Sequence, residues 1–587
     1  MNAQEQEPSY ARGETGEELL EATIPAYMKK IVAAFSENLA LVDVPGNIRW
    51  TYREFWEKTG ALARGLRGLG FQRGDRIGIW SVNNPQWLLL QIATARLGII
   101  LVNLNPAYRA RELSHALRKS RVQGLFFIPG FKTSDYVSIA GEVIPELKTA
   151  QPDLSESDPD TTPRRVVLYN PRDIESPDRP LSGLTLWSEL MEQGASISDK
   201  ELDAQENELD RQDTINIQYT SGTTGSPRAV ALSHRNILNN AYFAARELGV
   251  ESADSLCVTV PFYHCFGMVL SNLLIWSRGA TLVLPGEYFQ PGDVLAAVAQ
   301  ERCSILHGVP TMFLALLEHP DFASFDLSSL RTGIMAGAPC PASLVRRVRR
   351  EMHLADIRIG YGQTEASPLT HITRKNDDER RQTETVGFNL PFQETKIVDP
   401  ASGEIVPRGE TGEICFRGYH VMKGYYGDPE ATSRAIDSSG WLRSGDLGSM
   451  EDDGYLKITG RLKDMIIRGG ENIYPREIEE FLLEHPDIAE AAVFGVPDEK
   501  YGEAVCAWIR PRPGATLSEE DIREYCAGSI AHFKIPKRIR FVEDFPLTVT
   551  GKIQKFRMRE IETQEARPRE EARERRTRRE NAVPGRE

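Results

Sequence analysis

The stretch Tyr219 to His234, YTSGTTGSPRAVALSH, sets hydroxyls, glycines and one cation between two short apolar segments. That combination suits phosphate binding. Glycines let backbone N–H groups come close to an anion, and hydroxyls donate further hydrogen bonds to its oxygens. The candidate contacts are Thr220, Ser221, Gly222, Thr223, Thr224 and Gly225, with Arg228 as the countercharge. The common GxxxxGK[ST] loop is absent, and a plain polar hairpin turn is the competing reading of any isolated run of this kind. A second group, Ile359 to Glu365 (IGYGQTE), offers a ring to stack on a purine in Tyr361, a hydroxyl in Thr364 and a hard carboxylate suited to Mg²⁺ in Glu365. Thr332 to Pro339, TGIMAGAP, ends in a turn whose Gly337, Ala338 and Pro339 are small enough to let an adenine ring approach. His264, within PFYHCFGM, is either a core histidine with satisfied nitrogens or a polar group lining an apolar tunnel.

The elements that must position these groups follow from periodicity. Ile215, Ile217 and Tyr219 alternate with polar residues and predict a strand, Val230 to Leu232 predicts a second, and Ser233 is placed to cap a following helix. Upstream, apolar residues recur at helical spacing from Thr51 to Leu66. Arg76 to Trp80 then reads as a buried strand, Trp87 to Leu97 as a helix, Ile99 to Val102 as a strand, and Val122 to Phe127 continues the alternation. Strand, helix, strand predicts a parallel α/β layer. Proline and aspartate accumulate from Gln151 to Arg179, where a surface excursion is expected. An apolar helix pattern follows PFYHCFGM through Leu270, Leu273, Leu274 and Trp276, and Ser304 to Met312 reads as a strand turning into a helix at Pro310. Pro475 opens a small compact unit with a helix, strands at Ala491 to Val496, Ala504 to Ile509 and Arg538 to Val542, and a helix from Ser518. From Arg567 a mixed charge run reads as a solvated helix or a tail.

A chain of 587 residues is too long for one core. Its formal charge of −14 argues against a general nucleic-acid binder, so any polyanionic ligand must be met by a local basic site. The seven cysteines are scattered and form no CxxC pair, which fits a reduced compartment. The longest apolar stretch, Leu88 to Leu104, is interrupted by Gln91 and Arg96 and makes a poor membrane span. The N-terminal stretch is acidic and polar, unlike a secretory signal or transit peptide, and a cytoplasmic location is expected.

Taken with TSGTTG and YGQTE, the segments Gly412 to Tyr426 (GEICFRGYHVMKGYY), Trp441 to Asp446 (WLRSGD), Gly460 to Glu479 (GRLKDMIIRGGENIYPREIE) and Pro546 to Lys555 (PLTVTGKIQK) make the chain resemble the adenylate-forming enzymes. Those include acyl-CoA synthetases, luciferases and peptide-synthetase adenylation domains. The resemblance implies an α/β fold: a large N-terminal adenylation domain over residues 1–460, a hinge at 461–464, a small mobile α+β domain over 465–560 and a charged tail over 561–587. It implies ATP, Mg²⁺ and coenzyme A. Tyr361, Gly362, Gln363 and Thr364 would then meet the nucleotide, and Glu365 with Thr220 the magnesium. Asp446, whose carboxylate can accept both hydrogen bonds of a vicinal diol, and Arg461 would meet the ribose. Lys463 falls at the hinge, Gly469 and Gly470 beside the pantetheine arm, and His264 beside the acyl pocket. Lys552 reads as ordinary surface by itself; the resemblance makes it the group that bridges carboxylate and α-phosphate. Lys552, Glu365, His264 and Arg228 are the catalytic set on this reading.

The phosphate loop of that family more often reads PKG, whereas Pro227, Arg228 and Ala229 stand here, an expected tuning of β/γ-phosphate handling. Asn105 to Ser120 (NPAYRARELSHALRKS), INIQYTSGTTGSPRA and KDMIIRGGENIYPREIE look most similar to medium- and long-chain fatty acyl-CoA synthetases. The implied activity joins a fatty acid to coenzyme A with ATP, releasing AMP and diphosphate, medium chains being favoured. A ligase that loads a carrier protein and a non-catalytic acyl or nucleotide sensor are the alternatives. A homodimer stays open.

Overall fold

The computed structural model describes residues 7–149, 162–172, 180–194, 196–220, 227–468, 471–498, 500–547 and 553–565. Local chemistry starts its helices. Thr51 Oγ1 accepts from the Glu54 N–H while the Glu54 carboxylate accepts from the Thr51 N–H, a reciprocal cap that opens the helix Tyr52–Gly68. Asn84 caps the helix Pro85–Leu97, which is buried on every side. The apolar run from Leu88 is therefore core, and no described helix is long and apolar enough to cross a membrane. Arg96 is tolerated inside because Glu206 meets its Nε at 2.5 Å and its guanidinium lies 3.8 Å from the centre of the Trp56 ring.

Among the described residues the large domain holds two mainly parallel sheets. In the first, Thr185–Leu186, Arg165–Leu168, Gly124–Phe127, Arg76–Trp80, Ile100–Leu104 and Thr214–Thr220 run parallel in that order. Arg228–Ser233 and Gly424–Tyr425 add antiparallel strands at the edge. The second sheet sets Leu39–Asp43, Thr281–Leu284, Ser255–Cys257, Ile305–Leu306, Thr332–Ala336 and Asp356–Gly362 side by side and parallel. A third, antiparallel sheet, Tyr10–Arg12, Gln393–Val398, Gly412–Gly418, Leu442–Met450 and Leu456–Arg461, has no counterpart in the sequence reading. Ligands of parallel sheets gather beyond the carboxyl ends of the strands. Here those ends carry Thr220, Gly337 and Gly362, and His264 lies beyond the end of Ser255–Cys257 as the cap of the helix that follows.

One expectation is corrected and a second is refined. The segment expected as a surface excursion contains the strand Arg165–Leu168, whose Val166 and Val167 are buried; β-branched residues fit the pleated sheet there, whatever the proline and aspartate around them. The apolar helix expected after His264 runs without a gap from Cys265 to Trp276, but its middle, Met268–Leu273, is wound as a π-helical turn. Such turns insert one residue per helical turn and often mark functional sites.

The small domain is a sheet of Glu471–Ile473, Ile466–Arg468, Gly502–Pro511 and Ile488–Asp498, with Arg538–Phe541 parallel to Gly502–Pro511. Side chains alternate across it. Val493, Val505, Ala507 and Ile509 pack under the helices Pro475–Leu483 and Glu519–Cys526, while Phe494, Val496, Cys506 and Trp508 pack on the other face with Met558 and Ile561. Ile561 and Glu562, at the start of the expected tail, belong to that second layer, with Trp508 Nε1 donating to Glu562 Oε1 at 2.9 Å.

Candidate active site

Thr214–Thr220 and Arg228–Ser233 form a hairpin in which Thr220 faces Arg228. Ser233 caps the next helix, accepting from the Asn236 N–H at 3.2 Å. Ser221, Gly222, Thr223, Thr224 and Gly225 lie outside the described residues, as do Gly469, Gly470 and Lys552. The flanks of the loop are well defined. Thr220 Oγ1 donates to Glu365 Oε1 at 3.4 Å, and the Tyr425 hydroxyl donates to the same oxygen at 3.1 Å. Arg228 Nη1 donates to the Tyr425 hydroxyl at 3.4 Å, and its guanidinium lies 5.1 Å from the centre of that ring. One hydroxyl thus links the cation and the carboxylate. Burial and the Glu365 charge push the Tyr425 hydroxyl up to about 12, so it stays a donor. Tyr425 was given no role from sequence; it stood in the segment GEICFRGYHVMKGYY, and only its pairing beside Val230 brings it to Arg228. Ala229 is a buried strand residue opposite Tyr219, so no glycine is required at that position.

Glu365 stands on the turn after Asp356–Gly362. At Gly362 the chain passes so close to its return that a Cβ would sit 1.8 Å from the Pro368 carbonyl oxygen. Gln363 follows, its side-chain nitrogen buried and without a hydrogen-bond partner among the described residues. Thr364 is buried, 3.5 Å from Cys265 Sγ. That contact joins the turn to His264, whose Nδ1 accepts from the Phe266 N–H at 3.2 Å. A neutral His264 ring with Nδ1 accepting carries its proton on Nε2. His307, at the end of a neighbouring strand, stacks on Phe266 with ring centres 5.9 Å apart. Gly337 takes a left-handed φ of 87° at the end of Thr332–Ala336, and it and Pro339 are exposed beside the same strand ends, with Ala338 half-buried between them.

A second corner lies on the antiparallel sheet, where Asp446 faces Arg461 across neighbouring strands. Arg461 Nε is 3.1 Å from Asp446 Oδ1, and the Tyr361 hydroxyl donates to Asp446 Oδ2 at 2.7 Å. The Asp446 charge raises the guanidinium pKa, while burial and the same carboxylate push the Tyr361 hydroxyl well up. Each carboxylate oxygen keeps a lone pair for a further donor. Tyr361 therefore has a polar task besides the stacking expected of its ring, which packs against His371 and Phe416 at 6.2 and 6.0 Å between centres. Lys463 is exposed on the helical turn Leu462–Asp464, directly after Arg461.

The arrangement can therefore take a phosphorylated nucleotide: close backbone and an unspent amide at Gly362 and Gln363, a carboxylate corner for a diol, and a hydroxyl, carboxylate and guanidinium corner for phosphates. The chain thus sets a candidate nucleotide site on a large α/β body joined to a small second domain. The chain belongs to the AMP-binding enzyme family, whose profile matches residues 28–426, and the profile of the family's C-terminal domain matches residues 477–552. The Bacillus subtilis protein YngI is 45% identical over 92% of this chain and 97% of its own. The mitochondrial medium-chain acyl-CoA ligase ACSF2 of Danio rerio is 42% identical over 94% of this chain and 90% of its own. Among solved structures, ATP-bound MatB from Rhodopseudomonas palustris superposes with a TM-score of 0.76 at 28% identity, covering 91% of this chain and 98% of that one.

Proposed function

We propose that the protein is an AMP-forming acyl-CoA synthetase that acts on medium-chain fatty acids through an acyl-adenylate. The observation that carries the reading is the convergence of Thr220, Arg228, Glu365 and Tyr425 at one corner with Tyr361, Asp446 and Arg461 at another. In the first step the acid's carboxylate attacks the α-phosphorus of ATP and diphosphate leaves. Setting two such anions ~4 Å apart costs roughly 4 kcal/mol per unit pair at an effective dielectric near ~20. Arg228, the loop hydroxyls and Lys552 offset that repulsion. Glu365 and Thr220 supply two hard oxygens, the small protein share that magnesium takes when it rides on phosphates, and the ion would neutralise phosphate charge there. Asp446 and Arg461 hold the ribose, and Nε2 of His264 donates toward the acid. In the second step the thiolate of coenzyme A displaces AMP. Residues 461–464 act as the hinge by which the small domain, residues 465–560, exchanges Lys552 for the Gly469–Gly470 loop.

The test is AMP release by the full-length protein with ATP, Mg²⁺, coenzyme A and saturated acids from acetate to stearate. Activity is expected to peak between hexanoate and dodecanoate. Diphosphate release without thioester would remove coenzyme A from the reading. Lys552→Ala is expected to abolish adenylation while thioester formation from supplied acyl-AMP continues, and equal loss of both halves would count against the assigned role.

A further inference from the structure

A hollow of about 510 Å³ is bordered by Arg111, Ser114, His115, Arg118 and Lys119. All five belong to the helix Ala110–Lys119 and recur at helical spacing on one face, while Leu113, Ala116 and Leu117 bury the other. On a chain of net charge −14, four basic side chains on ten residues need a reason. Folding does not supply it. Like charges one turn apart repel, and Arg111 sits in the first helical turn, where the helix dipole disfavours a cation. The side chains of Arg111, His115 and Arg118 are exposed and have no carboxylate partner among the described residues. By contrast, Arg346, Arg347 and Arg350 on the helix Ala342–Glu351 all lie against glutamates. The basic face is also tied to the phosphate corner. The Tyr219 hydroxyl reaches Ala116 O at 2.9 Å and Ser120 Oγ at 2.6 Å one residue before Thr220, and Lys119 Nζ donates to Gly427 O at 3.3 Å, two residues past Tyr425. Asp428 stands 3.9 Å from Lys119 and is the one carboxylate paired with this face among the described residues.

We propose that this hollow holds the phosphorylated nucleotide end of coenzyme A, an inference that rests on the acyl-CoA synthetase reading. Coenzyme A carries its thiol on a flexible arm and its phosphates at the far end. A basic face joined to the adenylation corner can anchor the phosphates while the arm reaches the acyl-adenylate. Guanidinium forks suit phosphate oxygens in two-point contacts.

The experiment measures KM for coenzyme A, dephospho-coenzyme A and pantetheine with the full-length protein and with the double variant Arg111→Gln, Arg118→Gln, at fixed acid and ATP. Both side chains are exposed, and a matching melting temperature verifies the fold of the variant. The variant is expected to raise KM for coenzyme A by about tenfold. Its KM for pantetheine and its rate of diphosphate release stay unchanged, and the native preference for coenzyme A over dephospho-coenzyme A shrinks. An unchanged KM for coenzyme A overturns the docking site and leaves the synthetase reading standing. Absence of thioester from the native protein with all three thiols overturns both. Lost sedimentation with phosphatidylglycerol vesicles at unchanged KM also overturns it, assigning the face to a membrane.

Discussion

Tyr425 places one hydroxyl between a guanidinium and a carboxylate, and with its ionisation pushed up to about 12 it keeps its proton through any working pH. Tyr425→Phe removes that link and leaves the ring under Arg228. Diphosphate release is expected to slow about tenfold, the size of one hydrogen bond to a charged group, with thioester formation from supplied acyl-AMP near native. An unaltered rate would mean that Arg228 and Glu365 hold their places without it. Thr220, Arg228 and Glu365 were singled out as candidates by residue type within TSGTTGSPRA and YGQTE, 145 residues separating Thr220 from Glu365. Tyr425 was not, since its neighbour in space is fixed by the pairing of Gly424–Tyr425 with Arg228–Ser233. The bond from Tyr361 to Asp446 spans 85 residues and was invisible for the same reason.

At the scale of elements, the turn after Asp356–Gly362 is held by contact between two backbones. A methyl group at Gly362 would meet the Pro368 carbonyl, which also accepts from the Gln363 N–H at 2.9 Å. Gly362→Ala is expected to lower stability by about 1–3 kcal/mol, the range for an overfilled site, and to raise KM for ATP because Gln363 and Glu365 move with the turn. A melting curve and an ATP titration check both. Elements set by local rules were readable: the Ser233 cap, the alternation into Thr220, the strand Arg76–Trp80. Elements set by distant partners were not. The five-stranded antiparallel sheet draws its strands from residues 10–12 and 393–461, and no window of the chain contains that arrangement. The π-helical turn is a matter of packing around Met268, whose carbonyl accepts from Gln91 Nε2 at 3.2 Å.

The whole molecule carries its histidines unevenly. His307, His371 and His420 are fully enclosed, and burial lowers each from 6.5 to about 3. Both ring nitrogens of His420 lack a partner among the described residues. The unfolded chain binds protons at these groups below pH 6.5 and the folded chain does not until about pH 3. Stability is therefore full above the ordinary histidine value and falls as pH drops through the window below it, by about 1.4 kcal/mol per pH unit for each group. The melting temperature is expected to decline between about pH 6.5 and 4.5, before most carboxylates take up protons. His420→Phe should make that decline shallower, and a flat profile would contradict the burial of the three rings.

The separateness of the two cores reaches beyond the single molecule. The large core ends at Ile458 and the small one begins at Ile466, and between them the chain contributes no core residue. The small sheet is covered on both faces by its own chain. A genetic crossover in the codons of residues 462–465, past the strand Leu456–Arg461, would part the two cores without cutting through either. Descent can then reshuffle the portion that bears Glu365 and the portion that bears Lys552 as separate inheritances.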